Sequence, residues 1–207
     1  IDSPGGSVAP TEEIYEKIKK VKKIKPVIAS VGNVAASGGY YIAVAADSIF
    51  ANKGSILGSI GVIISYPIMK DLFDKVGIDV ETIKSGNLKD SGSFSRNPTA
   101  QDKIFFEKLI LNMYDQFIDV IVKDRMMQRD NVLSLADGRV FTGLTSMKLG
   151  LIDELGTFES AIQVAAEMGG ISGKPQIFQN NKKSNIVKDF LSNDLSTKIR
   201  TTWFEKL

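Results

Sequence analysis

The chain contains neither cysteine nor histidine. Without cysteine it has no disulfide, no thiol nucleophile and no thiolate metal ligand. Without histidine it lacks both the commonest zinc ligand and the usual general base. Aromatic residues make up only 8% of the 207 residues, and no run approaches the ~20 apolar residues of a membrane span. The net charge is +2, with basic and acidic residues interspersed, so nothing points to a nucleic-acid partner. What remains is a 43% hydrophobic chain of ordinary charge content, long enough for one globular domain with a real core.

Short apolar runs alternate with amphipathic stretches. Residues 11–23 read as a helix, with Ile14, Ile18 and Val21 on one face, acids at its start and lysines at its end. "PVIASV" (26–31) reads as a buried strand, and "GGYYIAVAAD" (38–47) as a buried helix after a tight turn. "SIFAN", "GVIIS" and "DVETIKS" (79–85) read as further strands, and 67–77 as a helix ended by glycine. After a polar loop over 86–98 comes the longest helix, capped by Thr99 with Asp102. Its stripe Phe106, Ile110, Met113, Phe117, Ile121 is expected in the core or at a subunit interface. Short elements follow in 129–156, then a helix from "TFESAIQVAAEMGG" and a strand from "KPQIFQ". No internal repeat is evident. The tail bearing Lys182, Lys183 and Lys188 reads as a solvated extension. This order predicts an α/β fold with a largely parallel sheet, divided into a domain over 1–175 and an extension over 176–207.

Two glycine turns could carry chemistry. In "DSPGGS" Pro4 fixes one torsion while Gly5 and Gly6 open backbone directions closed to other residues. In "AASGG", 32 residues from Gly5 to Ser37, the serine sits at an expected helix start. An N–H from each turn would form an oxyanion hole. Either turn alone reads more readily as a plain turn or simple packing than as a site. A serine nucleophile also needs a base, and in this chain only lysine can serve: carboxylates are too acidic, and tyrosine and arginine too basic. A free lysine, with pKa about 10.4, is neutral only about 0.1% of the time near neutral pH, and apolar burial lowers that value. Lysines 17–25 lie on an amphipathic helix and Lys84 points to solvent along its expected strand. Lys89 stands in a glycine-flanked loop after a strand, where active-site residues often sit.

"DSPGG", "GNVAASGGYYIAVAAD", "GSILGSIGVI", "ETIKSGNLKDSGSFSR", "ADGRVFTG" and "KLGLIDELG" occur in one order over residues 1 to about 165. In this the chain resembles the bacterial signal peptide peptidase A family of Ser–Lys proteases, in its shorter, single-repeat form. The resemblance implies a ClpP/crotonase-like fold of ββα units, with Ser37 as nucleophile and Lys89 as general base. It places the oxyanion hole at the N–H groups of Gly6 and Gly38, and gives Ser59 the role of orienting the lysine. It implies no cofactor or metal, peptide substrates left over from secretion, and a homo-oligomeric ring. It also implies a membrane-anchored parent with its catalytic part on the outer face of the bacterial cytoplasmic membrane. The opening "IDSPGGS" reads as the end of a strand, so an anchor and the first strands are expected upstream. The alternatives are a crotonase-like enzyme acting on acyl-CoA thioesters, or a non-enzymatic membrane-associated scaffold.

Overall fold

The computed structural model describes residues 1–179, and the lysine-bearing tail lies outside them. Residues Ile1–Gly173 form one compact unit; the described residues after it, 174–179, contain no helix or strand, so the strand expected in "KPQIFQ" is not formed. No helix among the described residues is long and apolar enough to cross a membrane.

The first helix, α1 (Val8–Lys22), begins earlier than its charge pattern suggests, leaving no acid in its first turn. Its buried residues are Thr11 and Tyr15, while Ile14 is exposed, so the inward face lies one position round from the expected stripe. Two strand pairs follow. β1 (Ile28–Val31) and β2 (Val34–Ala36) lead into the buried helix α2 (Gly38–Ala43), and β3 (Ser48–Ala51) and β4 (Ile56–Gly58) repeat the strand–strand unit. β1 pairs in parallel with β3, and β2 in parallel with β4. The chain therefore stacks two copies of one supersecondary unit, a structural repeat that its sequence does not display. The short strands β6 (Glu154–Leu155), parallel to β3, and β5 (Val140–Thr142), antiparallel to β4, complete two three-stranded sheets. The expected α/β architecture is present, with mostly parallel pairing.

Two further expected strands do not form. Residues 61–65 follow Ser59, whose φ of 50° turns the chain out of the sheet, and the apolar strand lies instead at 56–58. Residues 79–85 alternate as a strand would, but have no neighbouring strand, and Ile83 is 94% exposed. Alternation describes a surface that could pair; a ladder needs a partner. Between these stretches lies α3 (Lys70–Val76), closed by Gly77 in the left-handed conformation as its sequence predicts.

The long helix α4 (Ala100–Asp124) starts with the capping box read from the sequence: Thr99 accepts from the Asp102 amide, and Asp102 accepts from the Thr99 amide. Its C-terminal half buries Phe117, Ile118 and Ile121 in the common core with Tyr40, Val44, Ile49 and Leu57. Three smaller helices, α5 (Arg129–Leu135), α6 (Gly143–Lys148) and α7 (Phe158–Met168), cover the remaining edges.

Candidate active site

Three strand ends define the site. Ser3 makes an isolated parallel bridge with Ala35 of β2, and Ala36 of β2 pairs with Gly58 of β4. The three segments run the same way and stop at the same level. The turns that follow them, Gly5–Gly6, Ser37–Gly38 and Ser59, therefore emerge side by side at the carboxyl edge of one sheet. Loops at that edge are the usual place for ligand sites in parallel α/β sheets.

Ser37 has φ 50° and ψ −119°, a backbone region that non-glycine residues rarely occupy and that costs about 1–3 kcal/mol. A strained strand-to-helix turn of this type lifts a serine hydroxyl clear of the sheet. The position is over-determined from every side. The Ser37 amide donates to Gly58 O (2.8 Å), and Tyr41 N returns to Ser37 O (2.9 Å). Behind it, Tyr40 is fully buried and its hydroxyl donates to Leu151 O (2.7 Å). The Tyr41 ring lies against Tyr15 (5.2 Å between centroids) and Phe117 (5.0 Å), tying α2 to α1 and α4. Ser37 stands at the N-cap of α2, yet its hydroxyl makes no capping hydrogen bond. The group that would ordinarily close the helix is left to other uses.

The two glycine turns meet here. Gly5 has φ 127°, and a β-carbon on it would lie 2.9 Å from Ser37 Cβ and 3.3 Å from the Gly38 amide. A β-carbon on Gly38 would lie 3.3 Å from the Gly6 amide and 2.7 Å from Thr11 Oγ1. Only glycines allow this approach, which brings the Gly6 and Gly38 N–H groups to the same small volume beside Ser37. Neither amide meets a protein acceptor among the described residues. Thr11, buried against this volume, was not singled out by its sequence context, where it reads as one polar residue of an amphipathic helix.

Ser37, Gly6 and Ser59 line one cavity of about 680 Å³. Its far wall is apolar, formed by Val62, Ile63, Ile110 and Leu111. Ile110 thus belongs to the site and not only to a core or interface stripe. Tyr114 and the loop Ala136–Gly138 close the other side, held by Tyr114 Oη donating to Ala136 O (2.8 Å). Ser59 shares the φ of Ser37 and is anchored by its amide to Arg139 O (2.8 Å), so the "ADGRVFTG" segment supports the serine beside the nucleophile candidate. Asp137 is the one carboxylate lining the cavity among the described residues. Hydrogen bonds from Arg139 hold its pKa down at about 2, so it stays ionised and is a poor proton acceptor.

Lys89 is placed elsewhere. No lysine among the described residues lines the Ser37 cavity; Lys89 is exposed and lines a separate depression with Ser85–Leu88 and Gln101. The single chain brings together Ser37, Ser59, Gly6 and Gly38, and leaves Lys89 outside their cavity. The loop around Lys89 is nonetheless well ordered by charge. Arg96 donates to both Asp90 oxygens (2.8 and 2.9 Å) and to both Asp102 oxygens (2.6 and 3.1 Å). These hydrogen bonds, with further ones from Lys84 to Asp90 and from Ser91 to Asp102, hold both carboxyl groups well below the usual carboxylate range.

Several known proteins are similar to this chain. A protein of Synechocystis sp. named as a protease is 44% identical over 171 residues, covering 83% of this chain and 62% of its own length. A protein of Enterococcus faecium bearing the name signal peptide peptidase SppA is 34% identical over 95% of this chain and 57% of its own. The chloroplastic serine protease SPPA of Arabidopsis thaliana is 36% identical over 93% of this chain and 29% of its own length. The chain thus spans less than two thirds of the length of these relatives. Among solved structures, an enoyl-CoA hydratase/isomerase family member matches 76% of this chain and 42% of its own, with a TM-score of 0.40 and 18% identity. The profile of peptidase family S49 matches residues 19–172, from the last turn of α1 past the end of α7. With that match over most of its length, the chain belongs to peptidase family S49, and its α/β architecture is the ClpP/crotonase-like fold of that family.

Proposed function

We propose that the protein is a serine endopeptidase in which Ser37 is the nucleophile, Lys89 the general base, and the Gly6 and Gly38 amides the oxyanion hole. The observation that carries the reading is Ser37 itself. A strained, uncapped serine stands beside two amides from separate glycine turns, inside an apolar cavity. Neutral lysine takes the hydroxyl proton as Oγ attacks a peptide carbonyl, and the two N–H groups receive the negative charge that develops on the carbonyl oxygen. The protonated lysine then passes its proton to the departing amine, leaving an acyl-enzyme that water hydrolyses. Ser59, one position beyond the strand pair that aligns it with Ser37, orients the lysine.

Because no lysine among the described residues lines the Ser37 cavity, Lys89 acts on a second copy of the chain, within a homo-oligomeric ring. Support comes from the surface that precedes Lys89. Ile63, Leu72, Val76, Val80 and Ile83 are all at least half exposed on a single copy, an apolar expanse that a neighbouring subunit would cover. The apolar cavity wall suits extended peptides with small or apolar side chains, such as signal-peptide remnants. Such substrates place the site on the outer face of the bacterial cytoplasmic membrane, in a membrane-anchored parent protein.

An acyl-CoA reaction of the crotonase type would use a carboxylate in place of lysine, and the only one at the cavity among the described residues, Asp137, is held ionised by Arg139. A serine-directed phosphonate separates the readings: it labels Ser37, and Ser37→Ala abolishes both labelling and peptide hydrolysis. Mixing Ser37→Ala with Lys89→Ala subunits should restore activity that neither has alone. Absence of labelling at high pH, accompanied by thioester hydration, would overturn the peptidase reading.

A further inference from the structure

The loop that carries Lys89 has neither helix nor strand, yet one ion cluster fixes the residues immediately after the lysine. Asp90 is clamped by the Arg96 guanidinium, which also donates to the Asp90 carbonyl (3.2 Å). Ser91 donates its hydroxyl to Asp102 Oδ1 (2.5 Å). Two turn bonds, Lys89 N to Gly86 O (3.1 Å) and Ser91 N to Leu88 O (3.2 Å), complete the frame. Asp102 is almost wholly buried and is the capping-box residue of α4, so the loop is bolted to the start of a 25-residue helix. We propose that Arg96, with Asp90 and Asp102, is a positioning cluster for Lys89: it sets the lysine's backbone and keeps the adjacent Asp90 carboxylate from pairing with the lysine head group.

The second role follows from charge counting. In the cluster beside Lys89, Lys84 and Arg96 face Asp90 and Asp102, two groups of each sign, and Lys103 in the first turn of α4 adds a further cation. The neighbours that line its depression, Ser85 to Leu88 and Gln101, do not titrate. Every Asp90 oxygen is already taken by Arg96 or Lys84, so Lys89 pairs with no anion of the cluster among the described residues. A free carboxylate next to it would favour the ammonium form and suppress the base. Burying paired charges beside an exposed loop is a poor source of stability compared with apolar packing, so the cluster is better explained by what it holds in place.

This inference rests on Lys89 being the base, and the experiment tells the two apart. Peptide turnover and phosphonate labelling are followed against pH for full-length wild type, Lys89→Ala, Arg96→Met, Arg96→Lys, Asp90→Asn and the double variant R96M/D90N. Arg96→Met is expected to lower kcat about a hundredfold, the scale of an ångström of misplacement, with KM within about twofold. Its acid limb should move upward by about one pH unit as Asp90 is released toward Lys89. Arg96→Lys should recover part of the rate, since one ammonium cannot span both carboxylates. Asp90→Asn should lose rate with no upward move, and R96M/D90N should return the limb to its wild-type position. Wild-type rates in Arg96→Met, an unmoved limb, or the same upward move in Asp90→Asn overturns the proposal. If Arg96→Met fails to fold by circular dichroism, Arg96→Lys and Asp90→Asn decide by the same criteria. Activity surviving in Lys89→Ala overturns the dyad reading instead.

Discussion

A methyl group added at Gly38 tests the oxyanion hole with little disturbance elsewhere. The new β-carbon would sit 2.7 Å from Thr11 Oγ1, 3.4 Å from Thr11 Cγ2 and 3.3 Å from the Gly6 amide. Thr11 cannot step aside freely, because it is buried and its hydroxyl donates to Ser7 O (2.9 Å). The displacement of several tenths of an ångström therefore falls on the Gly5–Ser7 turn, which carries one of the two donors. Losing a donor costs roughly 3–4 kcal/mol of barrier, or about 10²–10³ in kcat. The effect on stability is smaller, since alanine gains up to ~1 kcal/mol over glycine in a helix while overpacking costs about 1–3. A net loss of about 1 kcal/mol lowers the melting temperature by about 2–4 °C in a chain of this size. Hydrolysis of a fluorogenic apolar peptide gives kcat, and a thermal melt gives the second number. Thr11→Ala in the same chain removes the clash and should return part of the activity. Gly6→Ala is the stability control, since its added methyl meets nothing within 4 Å. Wild-type turnover in Gly38→Ala, or no recovery in the double variant, refutes the reasoning.

Other outcomes can be stated more briefly. Lys89→Ala should abolish peptidase activity while folding and assembly, read by gel filtration, persist, and activity that survives the change would count against a lysine base. Ser59→Ala should reduce kcat about tenfold without abolishing labelling of Ser37, and full loss of labelling would give Ser59 a larger part than orientation. Tyr40→Phe strips the donor from a buried carbonyl of Leu151 and should cost about 1–3 kcal/mol in denaturant unfolding. Burial pushes the Tyr40 hydroxyl well above the ordinary tyrosine range. The unfolded chain therefore loses that proton first. Stability should hold below about pH 10 and fall above it by about 1.4 kcal/mol per pH unit through this residue; an equally steep fall in Tyr40→Phe would show that Tyr40 is not responsible.

Local chemistry made part of this protein legible from its sequence. The Thr99–Asp102 capping box, the glycine that ends α3 and the buried helix after Ser37 each depend on residues within one or two turns of each other. The missing histidine also narrowed the choice of base before any geometry was known. Where a partner distant in sequence was needed, the outcome was mixed: the strands expected in 26–31 and "SIFAN" form as β1 and β3, which pair with each other, while others do not form. The alternating run 79–85 has the pattern of a strand but no ladder, and the apolar run 61–65 was turned out of the sheet by Ser59. Thr11 and Ile110 belong to the site only because α1 and α4 cross beside the Ser37 turn. The sequence by itself determined which residues could perform the chemistry, because reactivity resides in side-chain type and glycine turns are written locally. The tertiary structure decided which of them meet: parallel pairing of Ser3, Ala36 and Gly58 sets three turns level at one sheet edge, while the loop of Lys89, bolted to the start of α4, stays outside that cavity.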